Sequence, residues 1–227
     1  AKMFSPPVLT VATALLVVGL AIVGWWAVSQ SDLKKGINAL QSAYGEQRPL
    51  EARITGFPYA TFSNSSKLPT QSSAKLKVAE KAFRDLLDDK KTASSLQGLG
   101  KYALTQRNFD EAIQNLEEAA KTDPSNSAIQ TDLAVAFLER GKLALAGQHP
   151  DLAQADFEKC YKYLDLALAN KPSSPEALFN LGLFYQTTKS WKDAEETWQK
   201  FLGVESNKSW ADEAKRYLNQ AIEAGKN

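Results

Sequence analysis

The side chains that most often carry acid–base or nucleophilic chemistry are each present only once in this chain. One histidine, His149, and one cysteine, Cys160, occur among 227 residues. A lone histidine cannot supply the two or three imidazoles of the usual zinc sites, and a lone cysteine excludes an internal disulfide and a cysteine-cluster metal site. We therefore predict no catalytic residue, no metal site and no cofactor, and we expect that the protein is not an enzyme.

The charged residues do not form a recognisable catalytic or nucleic-acid site either. Neighbouring carboxylates such as Glu117 and Glu118 are adjacent on a helix, so their side chains diverge. The chain has 27 Lys and Arg residues and 26 Asp and Glu residues, and Lys2 is the one charged residue before position 30. The charges after it therefore balance, and no basic stripe predicts a nucleic-acid partner.

An uninterrupted run without charge, from Val8 to Val28, predicts a membrane anchor. As a helix it would span about 31 Å, which matches the hydrocarbon thickness of a bilayer. A cleaved signal peptide is the alternative, but its apolar core is shorter and is followed by small residues rather than tryptophans. We assign residues 1–30 to a single-pass anchor that contacts the lipid bilayer. Its representative residues are Leu15, Leu16, Leu20, Trp25 and Trp26.

The basic residues around this run weakly favour one orientation. Lys2 precedes it, whereas Lys34, Lys35 and, further away, Arg48 follow it. Lys and Arg are enriched on the cytoplasmic side of membrane segments. The sequence therefore predicts a membrane protein whose large C-terminal part lies on the cytoplasmic side.

Residues 31–74 have the composition of a partly extended tether. Leu33 to Tyr44 could form a short helix, whereas the prolines at positions 49, 58 and 69 keep the following stretch extended. This stretch also contains large apolar residues, so we expect part of it to lie along the folded domain. The predicted domain covers residues 75–227, and a fragment that begins near Lys75 is expected to fold alone.

A repeated helical pattern follows the tether. The pair Leu99-Gly100 recurs as Leu133-Ala134 and again, after a longer interval, as Leu181-Gly182. Small residues, which let helices approach closely, and prolines, which end a unit, follow these pairs at the same offsets after the first and third pairs and about 14 positions later after the second. They are Ala112, Ala119 and Pro124; then Cys160, Ala167 and Pro172; and then Ala194. This phase makes Cys160 a buried, inert thiol.

The pattern resembles tetratricopeptide repeats (TPR) over residues 93 to about 206. The resemblance implies a solenoid of about three helix pairs, closed at each end by a capping helix. We therefore predict an all-α fold, with one N-terminal transmembrane helix followed by a TPR α-solenoid.

The second repeat is longer than the first. It exceeds the tetratricopeptide period by roughly 14 residues, or about four helical turns. If the excess divides equally, each arm gains about two turns and projects about 10 Å from the stack. The alternative is a flexible loop of the same length. We favour a projecting hairpin from Gly141 to Phe157 that contacts a partner subunit or the membrane surface, with the candidate contact residues Leu143, Leu145, His149 and Leu152.

In tetratricopeptide domains the first helix of each repeat lines a concave groove. Carried over to this sequence, that implies the partner-binding residues Lys101, Leu104, Val135, Leu138, Phe179, Asn180 and Leu183. The set is mainly apolar and would suit a peptide or a partner helix. The other interpretation is that the chain's own tether fills the groove.

A narrower resemblance concerns the stretch from Arg48 to Tyr59 and the stretch from Ser209 to Leu218. Together with the repeats, they are similar to the membrane-anchored front half of bacterial proteins that join tetratricopeptide repeats to a caspase-like CHAT peptidase domain. The sequence ends at Asn227 without that domain. Two functions remain: a non-enzymatic membrane-anchored scaffold for subunits of a membrane complex, or a peptide-binding adaptor that recruits a soluble effector.

Overall fold

The structure is a computed structural model that describes residues 31–45, 48–63, 70–89 and 91–226. Within these ranges the chain is helical apart from its connections and one isolated bridge between Arg48 and Phe62. The helices are α1 (residues 31–44), α2 (Thr70–Asp89), α3 (Ala93–Thr105), α4 (Phe109–Thr122), α5 (Ser127–Ala146), α6 (Pro150–Asn170), α7 (Pro175–Thr187), α8 (Trp191–Val204) and α9 (Lys208–Ala224).

The helices stack as a solenoid. The pairs α3/α4, α5/α6 and α7/α8 form three successive antiparallel hairpins, with α2 against the first pair and α9 against the last. Neighbouring first helices also contact each other, α3 with α5 and α5 with α7, so they line one side of the stack. The prediction of an all-α solenoid of about three repeats with capping helices is confirmed for the described residues.

The predicted repeat phase is confirmed by burial. The residues at the small positions, Ala112, Ala119, Cys160, Ala167 and Ala194, have no solvent exposure. Glycine in the first helix serves the same close approach, because a Cβ on Gly182 would lie 2.6 Å from the Trp198 ring and one on Gly100 would lie 2.4 Å from Leu116. The sequence repeat therefore records the positions where helices touch.

The long second repeat is a helical hairpin rather than a flexible loop. Helix α5 has 20 residues, whereas α3 and α7 have 13. Helix α6 has 21 residues, whereas α4 and α8 have 14. Each arm is thus two turns longer, as predicted, and α6 begins at Pro150, where the missing amide hydrogen costs nothing.

The predicted tether is part of the folded unit. Leu40 and Tyr44 of α1, and Leu50, Ile54 and Phe57 beyond it, are buried in the same hydrophobic cluster as the repeats. Burial of such side chains stabilises the fold by roughly 1.5–3 kcal/mol each. The expectation that a fragment beginning near Lys75 has a complete core is therefore corrected, because residues 31–62 supply part of that core.

The predicted anchor, residues 8–28 with Leu15, Leu16, Leu20, Trp25 and Trp26, lies outside the described residues. Among the helices of the described part, none combines the length and the apolar character needed to cross a bilayer.

Candidate functional site

The concave side of the solenoid holds residues 48–62, called the groove segment below. The segment crosses the first helices of the repeats without forming a helix and turns at Gly56, whose φ of 73° favours glycine. It then returns, so that Phe62 pairs with Arg48. Between the two alternatives for the groove, the structure shows the one in which the chain's own tether fills it.

Side chains of the groove hold the backbone of the segment. The amide N–H of Arg53 donates to Asn180 Oδ1 at 2.8 Å, and Asn180 Nδ2 donates to the Arg53 carbonyl at 2.9 Å. The amide of Ala52 donates to Glu139 Oε1 at 3.3 Å. Because these backbone groups are buried, the side chains replace hydrogen bonds that a sheet or helix would otherwise provide.

A buried carboxylate, Asp132 in α5, holds the groove segment at Thr55, just before the turn at Gly56. It accepts hydrogen bonds from the Thr55 amide and from Thr55 Oγ1, both at 2.8 Å, and from Gln97 Nε2. Lys101 Nζ lies 3.5 Å from Asp132 Oδ2 and donates to the Thr55 carbonyl at 2.8 Å. Burial raises the pKa of Asp132, although Lys101 and the Thr55 donors act in the opposite direction.

The two arginines of the groove segment share one aromatic ring. The Arg48 guanidinium carbon lies 4.6 Å from the centroid of the Trp210 ring, and that of Arg53 lies 4.1 Å from it. Arg48 pairs with Glu213 of α9, and Arg53 pairs with Glu205 at the C-cap of α8. Both ion pairs are buried, so each charge depends on its partner.

The arginines are held more by ring faces and carboxylates than by complete sets of hydrogen bonds. Arg48 Nε, Arg48 Nη1 and Arg53 Nε have no hydrogen-bond partner among the described residues. Arg53 also lies 5.7 Å from the Phe179 ring centroid and 5.8 Å from that of Phe201. Desolvated guanidinium groups gain most from aromatic contacts of this kind.

Glu51 adds further bonds between the groove segment and helices α5 and α9. Its carboxylate accepts from Lys142 Nζ and from Tyr217 Oη, both at 2.8 Å, and Lys142 also donates to Glu139. Burial alone would raise the pKa of Glu51, but Lys142 and the Tyr217 hydrogen bond together lower it. The pKa of Lys142 is raised, since Glu139 and Glu51 outweigh the opposing effect of burial.

All seven groove residues predicted from the sequence lie in this region or in the core beneath it. Lys101 and Asn180 bind the groove segment directly, whereas the apolar members are buried. That they bind a separate partner remains a prediction. The apolar members are Leu104, Val135, Leu138, Phe179 and Leu183.

Sequence reasoning missed the acidic and aromatic contacts of the segment, namely Asp132, Glu205, Trp210 and Glu213. One signal was available, because Asp132 and Glu139 interrupt an otherwise apolar stretch of α5 at a spacing of two turns. Two carboxylates on one apolar helix face indicate cationic or amide-donating partners.

The projecting hairpin forms the second candidate surface. Leu143, Leu145 and Leu152 expose 57%, 49% and 62% of their surface. Leu143 and Leu152 border an open, mainly apolar cleft of about 530 Å³, which His149 at the N-cap of α6 also lines. The cation at its edge, Arg140, is held in a bidentate pair by Asp156 and by a further bond to Asp110.

The remaining candidate groups are the Cys160 thiol and the side chains that could bind a metal ion. Burial raises the pKa of the Cys160 thiol far above its ordinary range, so the nucleophilic thiolate does not form at neutral pH. Within the described ranges, no group of three or more His, Cys, Asp or Glu side chains could hold a metal ion.

Comparisons with known proteins agree with this architecture. A family model for the tetratricopeptide repeat matches residues 98–156. The crystal structure of TTC0263, a thermophilic TPR protein in Thermus thermophilus, is similar with a TM-score of 0.57 and 16% sequence identity, covering 66% of this chain and 74% of that one. At this identity the similarity shows the fold alone. No curated protein matches the sequence significantly.

Proposed function

We propose that this tetratricopeptide-repeat protein is a non-enzymatic, membrane-anchored scaffold that binds a subunit of a membrane protein complex through the α5–α6 hairpin. The observation that carries the proposal is the exposure of Leu143, Leu145 and Leu152 on arms that extend beyond the stack. Leu143 and Leu152 border one apolar cleft, and exposed apolar side chains that are grouped in this way mark interaction surfaces. Because the groove segment already fills the groove, the hairpin is the apolar surface best placed to contact a partner.

The chemistry of the hairpin favours an apolar helix of a protein partner. The cleft between its arms is lined by Leu143, Ala144, Ala146 and Leu152, which suits large apolar side chains. The stretch from Gly141 to Phe157 contains one lysine and two aspartates, so it lacks the cluster of cations that an anionic lipid surface attracts. An anchor at residues 8–28 would keep the domain near integral-membrane subunits.

The test is site-specific crosslinking in the native membrane. A photo-reactive amino acid at position 146, where Ala146 is exposed and lines the cleft, is expected to crosslink to one integral-membrane subunit in a fixed ratio. The double substitution L143Q/L152Q should abolish this crosslink without unfolding the domain, because both leucines are exposed.

The matched control is Leu166→Gln in α6, the helix that also contains Leu152. Leu166 is exposed to 38% and lies outside the hairpin extension. This variant should crosslink as the wild type does. Crosslinks to lipid alone, or an equal crosslink in L143Q/L152Q, would contradict the proposal.

A second function, a peptide-binding adaptor that recruits a soluble effector, is favoured by one specific observation. The groove already holds a non-helical segment through its backbone, as an adaptor would hold a client. A soluble client that binds equally well to the wild type and to L143Q/L152Q would support this function.

A further inference from the structure

We infer that the groove is a recognition site for a non-helical peptide with two arginines five residues apart, and that the groove segment occupies this site as a ligand held in cis. The inference does not depend on the hairpin, because it rests on contacts at α5, α7, α8 and α9. Two arginine subsites, a backbone clamp and two apolar subsites define the class of peptide.

The arginine subsites meet at Trp210. The indole contacts both guanidinium groups, and a separate carboxylate, Glu213 or Glu205, pairs with each. A guanidinium is planar and weakly hydrated, so it stacks on an aromatic ring and still binds a carboxylate. A lysine ammonium is compact and strongly hydrated, so it would lose more hydration free energy than a guanidinium on entering these subsites. The subsites therefore select arginine.

The backbone clamp is independent of the ligand's side chains. Asn180 binds both the N–H and the C=O of Arg53, Asp132 binds the Thr55 amide, and Lys101 binds the Thr55 carbonyl. Any non-helical peptide presents these groups. The two arginines consequently set the register of the peptide in the groove.

Two apolar side chains complete the pattern. Leu50 and Ile54 are almost fully buried beneath the segment, two and six positions after Arg48. The ligand class is thus a peptide with arginine at its first position, a large apolar residue at the third, arginine at the sixth and a second large apolar residue at the seventh.

The buried charges of the groove make an empty groove unfavourable. The groove segment can therefore be replaced by another peptide more easily than it can leave the groove empty. Asp132, Glu205 and Glu213 are buried, and Glu205 and Glu213 take their countercharges from the segment. Buried carboxylates that lose their cations are strongly destabilising. A peptide of the same chemistry that replaces the segment restores these pairs, whereas a neutral apolar peptide does not.

The experiment uses the full chain in detergent and a fluorescent peptide with the sequence of residues 46–63. In the variant R48Q/R53Q the cis segment loses both charges, and this variant is expected to bind the peptide at least about tenfold more tightly than the wild type, in which the cis segment competes. A peptide with lysine at both arginine positions should bind the variant at least about tenfold more weakly than the arginine peptide. L143Q/L152Q should not change binding.

A second measurement covers the case in which R48Q/R53Q does not fold. A protease recognition sequence replaces residues 64–69 in the otherwise unchanged chain, and cleavage leaves the segment bound without a covalent link. Excess fluorescent arginine peptide should then bind the cleaved protein in place of the groove segment, and the lysine peptide should not. Uptake of the peptide is measured, because α1 also holds the N-terminal piece to the core. The inference is overturned if neither protein takes up the peptide, or if the lysine peptide binds as tightly as the arginine peptide.

Discussion

Asn180 and Arg53 are joined by two hydrogen bonds of 2.8 and 2.9 Å, which connect one side-chain amide to both backbone groups of a single residue. Asn180 lies fully buried in α7, and Arg53 lies 127 positions earlier in the chain. The Asn180 amide thus makes the pair of hydrogen bonds that a neighbouring β-strand would make with Arg53. These bonds fix the N-terminal segment in the groove of the solenoid.

Asn180→Ala should lower the free energy of unfolding by about 2–4 kcal/mol, since two buried backbone groups lose their partners. The measurement is urea denaturation followed by circular dichroism. The matched control is Asn115→Ala, because Asn115 donates to a carbonyl within its own helix. That variant should change stability by less than about 0.5 kcal/mol. Equal effects of the two substitutions would show that the clamp does not stabilise the fold.

Gly182→Ala should destabilise the third repeat by about 1–3 kcal/mol, because the added methyl group meets the buried Trp198 ring. The ring cannot easily move, since Trp198 Nε1 donates to Gln186 and its face stacks on Tyr217. Gly203→Ala in α8 is the control, because nothing other than its own stretch of helix lies within 4 Å of the new methyl group. It should stabilise the protein by up to about 1 kcal/mol. Thermal unfolding of both variants checks the prediction.

Ala167→Leu should overpack the buried side of α6, where the Ala167 carbonyl accepts a hydrogen bond from Ser127 of α5, and lower the free energy of unfolding by about 1–3 kcal/mol. Ala167 has no exposure, whereas Ala155 in the same helix is exposed. Ala155→Leu should therefore have little effect in the same urea titration. A negligible loss of stability for Ala167→Leu would be inconsistent with the repeat phase.

Lys142→Met should lower stability at neutral pH by about 1–3 kcal/mol, because it removes the cation that Glu51 and Glu139 share. The pKa of Glu51 is lower in the folded state, so its stabilisation is present above the ordinary value of 4.5 and is lost as the pH falls. The pKa of Lys142 is raised in the folded state. The stabilisation that Lys142 provides is therefore complete below the ordinary value of 10.5 and declines above it. Urea titrations of variant and wild type should therefore differ at about pH 7, and the difference should shrink as the pH falls below the ordinary value of 4.5.

A fragment of residues 70–227 should unfold at a temperature at least about 10 °C below that of residues 31–227. The shorter fragment loses Leu50, Ile54 and Phe57 from the core and leaves the carboxylates of the groove without their arginines. Calorimetry of the two fragments is the direct comparison. Equal melting temperatures would mean that the groove segment adds no stability.

The solenoid could be predicted from the amino-acid sequence, because the contacts that build it recur at fixed spacing. Ala112, Cys160 and Ala194 occupy equivalent places in successive repeats, and each place requires a small residue whatever the surroundings. The extra length of the second repeat could be divided between two helical arms for the same reason, since helix geometry is local.

The occupant of the groove, in contrast, became known only from the folded chain. Arg48 pairs with Glu213 across 165 positions and Tyr217 with Glu51 across 166, and neither pair follows a period that the sequence displays. The prolines of residues 48–62 predicted a segment without regular structure, and its apolar residues predicted contact with the domain. The site of that contact depends on carboxylates and a tryptophan from helices that come together only when the solenoid has formed, because interactions between distant residues are set by the packing of the whole chain and not by local sequence.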